Sequence, residues 1–272
     1  MWSLFWLRVA AALYSLGLLH TLFTLFRRGD KFFGPARTAF SIGAVFHFVS
    51  LVESGFSIGH LPTTSVYATL SLCAYFLAIT YLIIAKWYDF PSLSFVTFPI
   101  VFLLTAVAAT EIPAVVGWEA APQLRSAWLN SHVILVICGY SAIVVTAASA
   151  LFYLLQERHL KAKTSGGIFS NLPPLGTLDR LTSNAMAIGF VLITLGFVTG
   201  WAWAYIESGS RWISEPKIHI SLLTWLFYLL IMYLRVIAGW RGRRAAFLSV
   251  YLLVFCGLTW ISHSGLRSLL ER

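Results

Sequence analysis

Residues 211–225 read RWISEPKIHISLLTW. Arg211, Glu215, Lys217 and His219 fall close together, Pro216 breaks the run, and an apolar stretch lies on either side. A run of about 20 apolar residues is long enough to cross the hydrocarbon core of a bilayer. A charged, proline-broken, tryptophan-flanked segment between two such runs is therefore expected to be a loop at a membrane surface. The composition agrees: 59% of the 272 residues are hydrophobic and 11% charged, with a mean hydropathy of +0.81. Soluble domains carry roughly 25% charged residues, so a water-soluble globule is excluded.

Working outward from that loop, eight apolar runs fit spans, at residues 3–26, 38–58, 65–85, 92–109, 130–155, 184–206, 219–238 and 245–266. The expected fold is all-α: a polytopic membrane protein, a bundle of about eight transmembrane helices with short loops. It is read as one integral-membrane domain over 1–272. The second run carries His47 and Glu53 and is the least apolar in character; the fourth is short. Met1–Phe26 lacks a small-residue cleavage end, so it is expected to be a retained first span and not a removed signal peptide.

Thirteen of the nineteen Lys and Arg lie in segments 27–37, 86–91, 156–183 and 235–244. Positive residues stay on the cytoplasmic side, which places both termini on the outer side. Segment 156–183, with its Gly, Ser and Pro pair, is expected to be a cytoplasmic hinge loop dividing five spans from three. Residues 207–218 become an external loop. The net charge of +9 is then mainly a topology signal, with added attraction to anionic lipid headgroups. It carries no nucleic-acid pattern.

Cys73, Cys138 and Cys256 each sit inside an apolar run with no CxxC spacing; they are expected to be small buried residues. The chain has no HExxH, GxSxG or phosphate-loop pattern, which disfavours hydrolysis and nucleotide chemistry. A solute transporter more often shows interrupted spans and midplane charges. An aromatic belt accounts for the tryptophans of the 201–225 region by itself. On the topology above, however, His60, His132, His219 and His263 lie at or near outer ends of spans. Imidazole is an axial ligand of haem iron, indole packs against a porphyrin face, and Arg211 and Lys217 are suitable carboxylate donors. His47, inside a span, is of the intramembrane ionisable kind that is often functional.

Five stretches carry a resemblance. They are SGFSIGHLPTTSVYATL (54–70), WLNSHVILVICGYSAIVVTAASALFYLLQERHLK (128–161), NLPPLGTLDRLTSNAMAIGFVLITLGFVTGWAWA (171–204), RWISEPKIHISLLTW (211–225) and GWRGRRAAFL (239–248). In this order they resemble the cytochrome c assembly family of CcsA/ResC- and CcmC-like haem-handling membrane proteins, nearest its shorter HemX/YpjD-type branch. The 211–225 stretch is similar to the family's WxWDPKExWSLITW segment, which faces haem outside the membrane. Trp212, Pro216, Lys217, Ser221, Leu222, Thr224 and Trp225 match; Ser214, Glu215, Ile218 and Ile220 depart from it.

The resemblance implies a haem b cofactor, a role in cytochrome c biogenesis and a place in the bacterial inner membrane. It implies a CcsB/ResB-like membrane partner and apocytochrome c as further partners. Of the family's three ligand histidines, His132 retains one; Tyr233 and Arg267 stand at the other two positions, and His263, one turn before Arg267, is a substitute ligand. His132 and His263 are thus the expected iron ligands, with His60, Trp203, Trp212, Lys217 and Trp225 lining the site. With two ligand positions replaced, the chain is expected to be an assembly or delivery factor and not a complete haem lyase. A HemX-like regulatory or scaffolding protein that binds no haem tightly is the alternative.

Overall fold

The computed structural model describes residues 2–27, 33–63, 65–88, 90–111, 127–163, 172–209 and 216–263. The long elements are α1 (Trp2–Arg27), α2 (Phe33–Ile58), α3 (Val66–Trp87), α4 (Ser94–Ala108), α5 (Ala127–Lys161), α6 (Leu175–Ser208), α7 (Pro216–Val236) and α8 (Arg243–His263). A single 3₁₀ turn, Pro91–Leu93, leads into α4. Among the described residues all regular structure is helical, as expected, since a helix satisfies its backbone bonds internally where lipid offers none. Seven helices are long and apolar enough to cross a membrane by their described residues. This is a multi-pass membrane protein.

Helix ends follow local chemistry. Ser65 caps α3 by accepting the Ala68 N–H at 3.0 Å, and its own hydroxyl donates to Glu111 Oε1 at 2.5 Å. Pro216 opens α7, where its missing N–H would find no partner anyway. α7 stops at Gly239, whose φ of +68° a side chain would disfavour, and the Trp240 N–H closes back on Leu234 O at 2.9 Å.

α5 and α6 overrun the expected spans. At 35 residues, α5 is about 50 Å long against a hydrocarbon core of about 30 Å. The hinge expected over 156–183 is accordingly helical at both ends. α5 continues to Lys161, whose ammonium pairs with Glu157 one turn back at 2.6 Å, and α6 begins at Leu175 directly after Pro174. The external loop expected over 207–218 is likewise trimmed, to the residues between Ser208 and Pro216.

The chain forms two compact units of four helices, with the boundary ahead of α5. Because α5 packs along α6 and α8, the expected five-and-three division becomes four and four. In the first unit α1 packs on α2 and α4, and α3 on α4 and α2. Its core is aromatic: Phe40 stacks on Phe98 with centroids 3.9 Å apart, and Tyr81 meets Phe98 edge-on at 5.0 Å. His47 is fully buried between Ser71 Oγ, 2.9 Å from Nε2, and Tyr14 Oη, 3.4 Å from Nδ1. Three helices thus meet on one imidazole.

The second unit closes similarly, α5 on α6 and α8, α7 on α8 and α6. Ile143, Met186, Tyr228, Ile231, Leu252 and Cys256 form its core. Outward, Ile188, Val191, Leu195 and Val198 of α6 are exposed, a stripe that lipid accepts and water would not. At the end of the unit that holds the α7–α8 turn, Arg235 donates from Nε to Ser183 Oγ (2.8 Å) and from Nη2 to Asp179 Oδ1 (2.8 Å). Its side chain is 7% exposed. Asp179→Ala is expected to strand this guanidinium and lower stability by about 3 kcal/mol. The double variant Asp179→Leu/Arg235→Met should recover most of the loss. Thermal unfolding in detergent measures both; an unchanged midpoint for Asp179→Ala would show that the pair stabilises nothing.

Candidate functional site

α5 and α6 run antiparallel and close. A Cβ built on Gly139 would lie 2.7 Å from Ile193 Cδ1, and one on Gly196 2.7 Å from Val136 Cγ2. One step further along this register, a Cβ on Gly200 would fall 2.6 Å from His132 Nδ1 and 2.7 Å from its Cε1. The imidazole therefore occupies the space that any side chain at 200 would take. Small residues at this spacing let membrane helices approach until backbone touches side chain.

His132 stands in the second turn of α5, and its Nδ1 lies 2.7 Å from the Gly196 carbonyl oxygen. A carbonyl only accepts, so Nδ1 carries the hydrogen and the lone pair of the neutral ring is on Nε2. The same oxygen also accepts from Thr199 Oγ1 at 3.0 Å. An imidazole oriented through one nitrogen by a backbone carbonyl is the arrangement in which histidine ligates a metal through the other.

On the adjoining face of α6 lies an aromatic stack. Trp225 of α7 is 3° from parallel to Phe197 at 5.8 Å and 20° from parallel to Phe190 at 6.3 Å. Its Nε1–H donates to Thr194 Oγ1 at 3.0 Å. Trp201 leans on Phe197 at 4.5 Å. Trp225 thus holds α7 against α6. Trp203, one turn past Gly200, is half-buried. Its Nε1 is cut off from solvent with no acceptor among the described residues.

The antiparallel order brings the start of α5, the end of α6, the start of α7 and the end of α8 to one end of this unit. Thr224 of α7 and Thr259 of α8 share a 2.6 Å hydrogen bond there. His132 and Trp203 are at this end, while Trp225, near the middle of α7, packs further in against Thr194. Lys217 and His263 belong to it by backbone position, in the first turn of α7 and at the last residue of α8; their side chains, like all of Trp212 and Arg267, lie outside the described residues. Tyr233 is not brought to His132. It is 54% exposed and sits beside Arg235, which reaches Ser183 of α6, about 20 Å along that helix from Gly196 at 1.5 Å per residue. His60 belongs to the first unit, where its Nδ1–H donates to Leu61 O at 2.7 Å.

Gly196, Gly200, Thr194 and Phe197 were not among the site residues that the sequence suggested. The Gly196–Gly200 spacing was the available signal, as a small-residue pair four apart marks a close helix contact.

The chain matches a family model described as Cytochrome C assembly protein over residues 63–271. It is 31% identical to the cytochrome c biogenesis protein CcsA of Prochlorococcus marinus strain MIT 9215 over 236 residues, 77% of this chain and 76% of that protein. The protein of the same name from Prochlorococcus marinus subsp. pastoris is 30% identical over 246 residues, 81% of this chain and 78% of its own. That of Mesostigma viride is 26% identical over 238 residues, with coverages of 79% and 76%.

Gly200→Ala is expected to drive a methyl group into the imidazole and to cost about 2 kcal/mol. Gly257→Ala, with nothing within 4 Å of its added Cβ, should be neutral or slightly stabilising by helix propensity. Thermal midpoints of the two variants check this; equal midpoints would mean that His132 does not rest on Gly200.

Proposed function

We infer the function from one premise: the chain belongs to the cytochrome c assembly protein family. We propose that it serves cytochrome c maturation by binding haem b at the His132 end of its second unit and presenting it at the outer face of a bacterial inner membrane. The orientation rests on the basic residues: Arg235, Arg241, Arg243 and Arg244 gather at the opposite end of the unit, which the positive-inside tendency assigns to the cytoplasm.

The single observation that carries the reading is the His132 Nδ1–H bond to Gly196 O at 2.7 Å. It fixes the tautomer with the lone pair on Nε2, the nitrogen that would hold the iron. Haem supplies the iron chemistry when bound, and the protein supplies ligation, orientation and electrostatics. His263, the last residue of α8, would be the second residue to hold the iron. Lys217 offers a cation for a haem carboxylate, and Trp212, Trp203 and Trp225 supply indole surface. The partners of this reading are haem, apocytochrome c and a CcsB/ResB-like membrane protein. The role is delivery and not catalysis, since Tyr233 and Arg267 replace two histidines of the family pattern.

One observation favours a second reading, a HemX-like regulatory or scaffolding protein. Tyr233, at the position of the family's intramembrane histidine, lies on the exposed side of α7, where it builds no enclosed iron site. Absorption of the dithionite-reduced protein, purified after expression with ample haem, separates the two. A Soret band that vanishes in His132→Ala and weakens in His263→Ala is the expected result. Colourless wild-type protein would favour the second reading, and a spectrum indifferent to His263→Ala would remove that residue from the site.

A further inference from the structure

The second unit pairs its other buried aromatic donors with care. Trp225 Nε1–H donates to Thr194 at 3.0 Å, and the Tyr228 hydroxyl donates to Met186 O at 2.6 Å. Trp203 is the exception: its indole nitrogen is covered and has no acceptor among the described residues. Indole N–H can only donate, and orphaned buried donors are rare enough to call for an explanation. Its position narrows the explanation. Gly189, Gly196, Gly200 and Trp203 follow one another at spacings of 7, 4 and 3, which keeps them on one side of a helix. Trp203 therefore sits on the α5-facing side of α6, about 4.5 Å of helix rise beyond Gly200, the residue whose missing side chain leaves room for His132. The orphan donor and the oriented imidazole share a face, the donor lying on the side nearer the external loop.

We infer that the Trp203 indole N–H binds a peripheral carboxylate of the porphyrin whose iron His132 holds. The inference rests on the haem reading above and adds to it the group that would hold one carboxylate of the bound porphyrin. A carboxylate is an acceptor that arrives with the ligand, and a bond to a charged acceptor is stronger than one to a neutral group. Trp203 is a binding residue in this account, and its ring packing is separable from its N–H.

The test titrates the purified full chain with haem and with haem dimethyl ester, in which both carboxylates are blocked, following the Soret band. Wild-type protein is expected to prefer free haem. Trp203→Phe, which keeps an aromatic ring and loses the N–H, should raise the Kd for haem about ten-fold and that for the ester by less than about two-fold. An equal loss for both porphyrins would reduce Trp203 to apolar packing and overturn the inference, as would no loss for either. If Trp203→Phe does not fold, judged by its thermal midpoint, Trp203→Leu, which also lacks a donor, takes its place under the same two criteria, and equal affinity of wild-type protein for haem and ester overturns the inference in either case. Failure of the haem reading looks different, because wild-type protein would then take up neither porphyrin.

Discussion

The second unit depends on how closely α5 and α6 approach. A Cβ built on Gly139, Gly189, Gly196 or Gly200 would fall 2.6–2.7 Å from a neighbouring side-chain atom, which would have to shift to admit it. In lipid, where burying apolar surface between helices gains little over contact with acyl chains, association rests on such van der Waals fit and on interhelical hydrogen bonds. The seam supplies both. It seats the Tyr228 hydroxyl against Gly189, so that it can donate to Met186 O across the unit, and it seats His132 against Gly200, within reach of Gly196 O. The contact that holds the helices together is therefore the contact that orients the imidazole.

Several ionisable or strongly polar side chains inside the two units are met from another helix. His47 takes Ser71 from α3 and Tyr14 from α1; Arg235 takes Asp179 and Ser183 from α6; Thr224 takes Thr259. Other hydroxyls return to their own backbone, as those of Thr146, Ser149 and Thr182 do at the i−4 carbonyl. A polar group in hydrocarbon is expensive when unpaired, so these bonds fix helix register as hydrophobic contacts alone would not. The intramembrane character that made His47 suggestive in the sequence is explained by such a register-setting network.

The helices were legible because hydropathy and span length act residue by residue. Their ends were less so. The start of α6, LGTLDRL, carries charge and by hydropathy reads as loop, yet Asp179 is consumed by Arg235 some 56 positions later. Hydropathy taken one span at a time cannot register a pairing of that range, and the same limit hid the grouping of α5 with α6–α8. At the site, His132 is visible from its place near one end of an apolar run and from the family resemblance. Its orientation is not, because the 64-residue separation from Gly196 becomes a contact only through helix register.

That distinction bears on how the tryptophans should be weighed. Trp225 matches the family segment, but here it is committed to structure: stacked between two phenylalanines, its N–H engaged by Thr194. Such a residue is retained for α6–α7 packing whether or not a ligand binds, so its presence alone says little about haem. Trp203 and His132 differ in the same physical respect. One has a buried donor without an acceptor among the described residues, and the other has one nitrogen held by a carbonyl, so that the neutral ring carries its lone pair on the second. Packing gives no reason to leave the first unpaired, and it would be served by any residue filling the space of the second. Packing thus accounts for Trp225 in full, while on the α5-facing side of α6 it leaves the Trp203 indole N–H without an acceptor among the described residues.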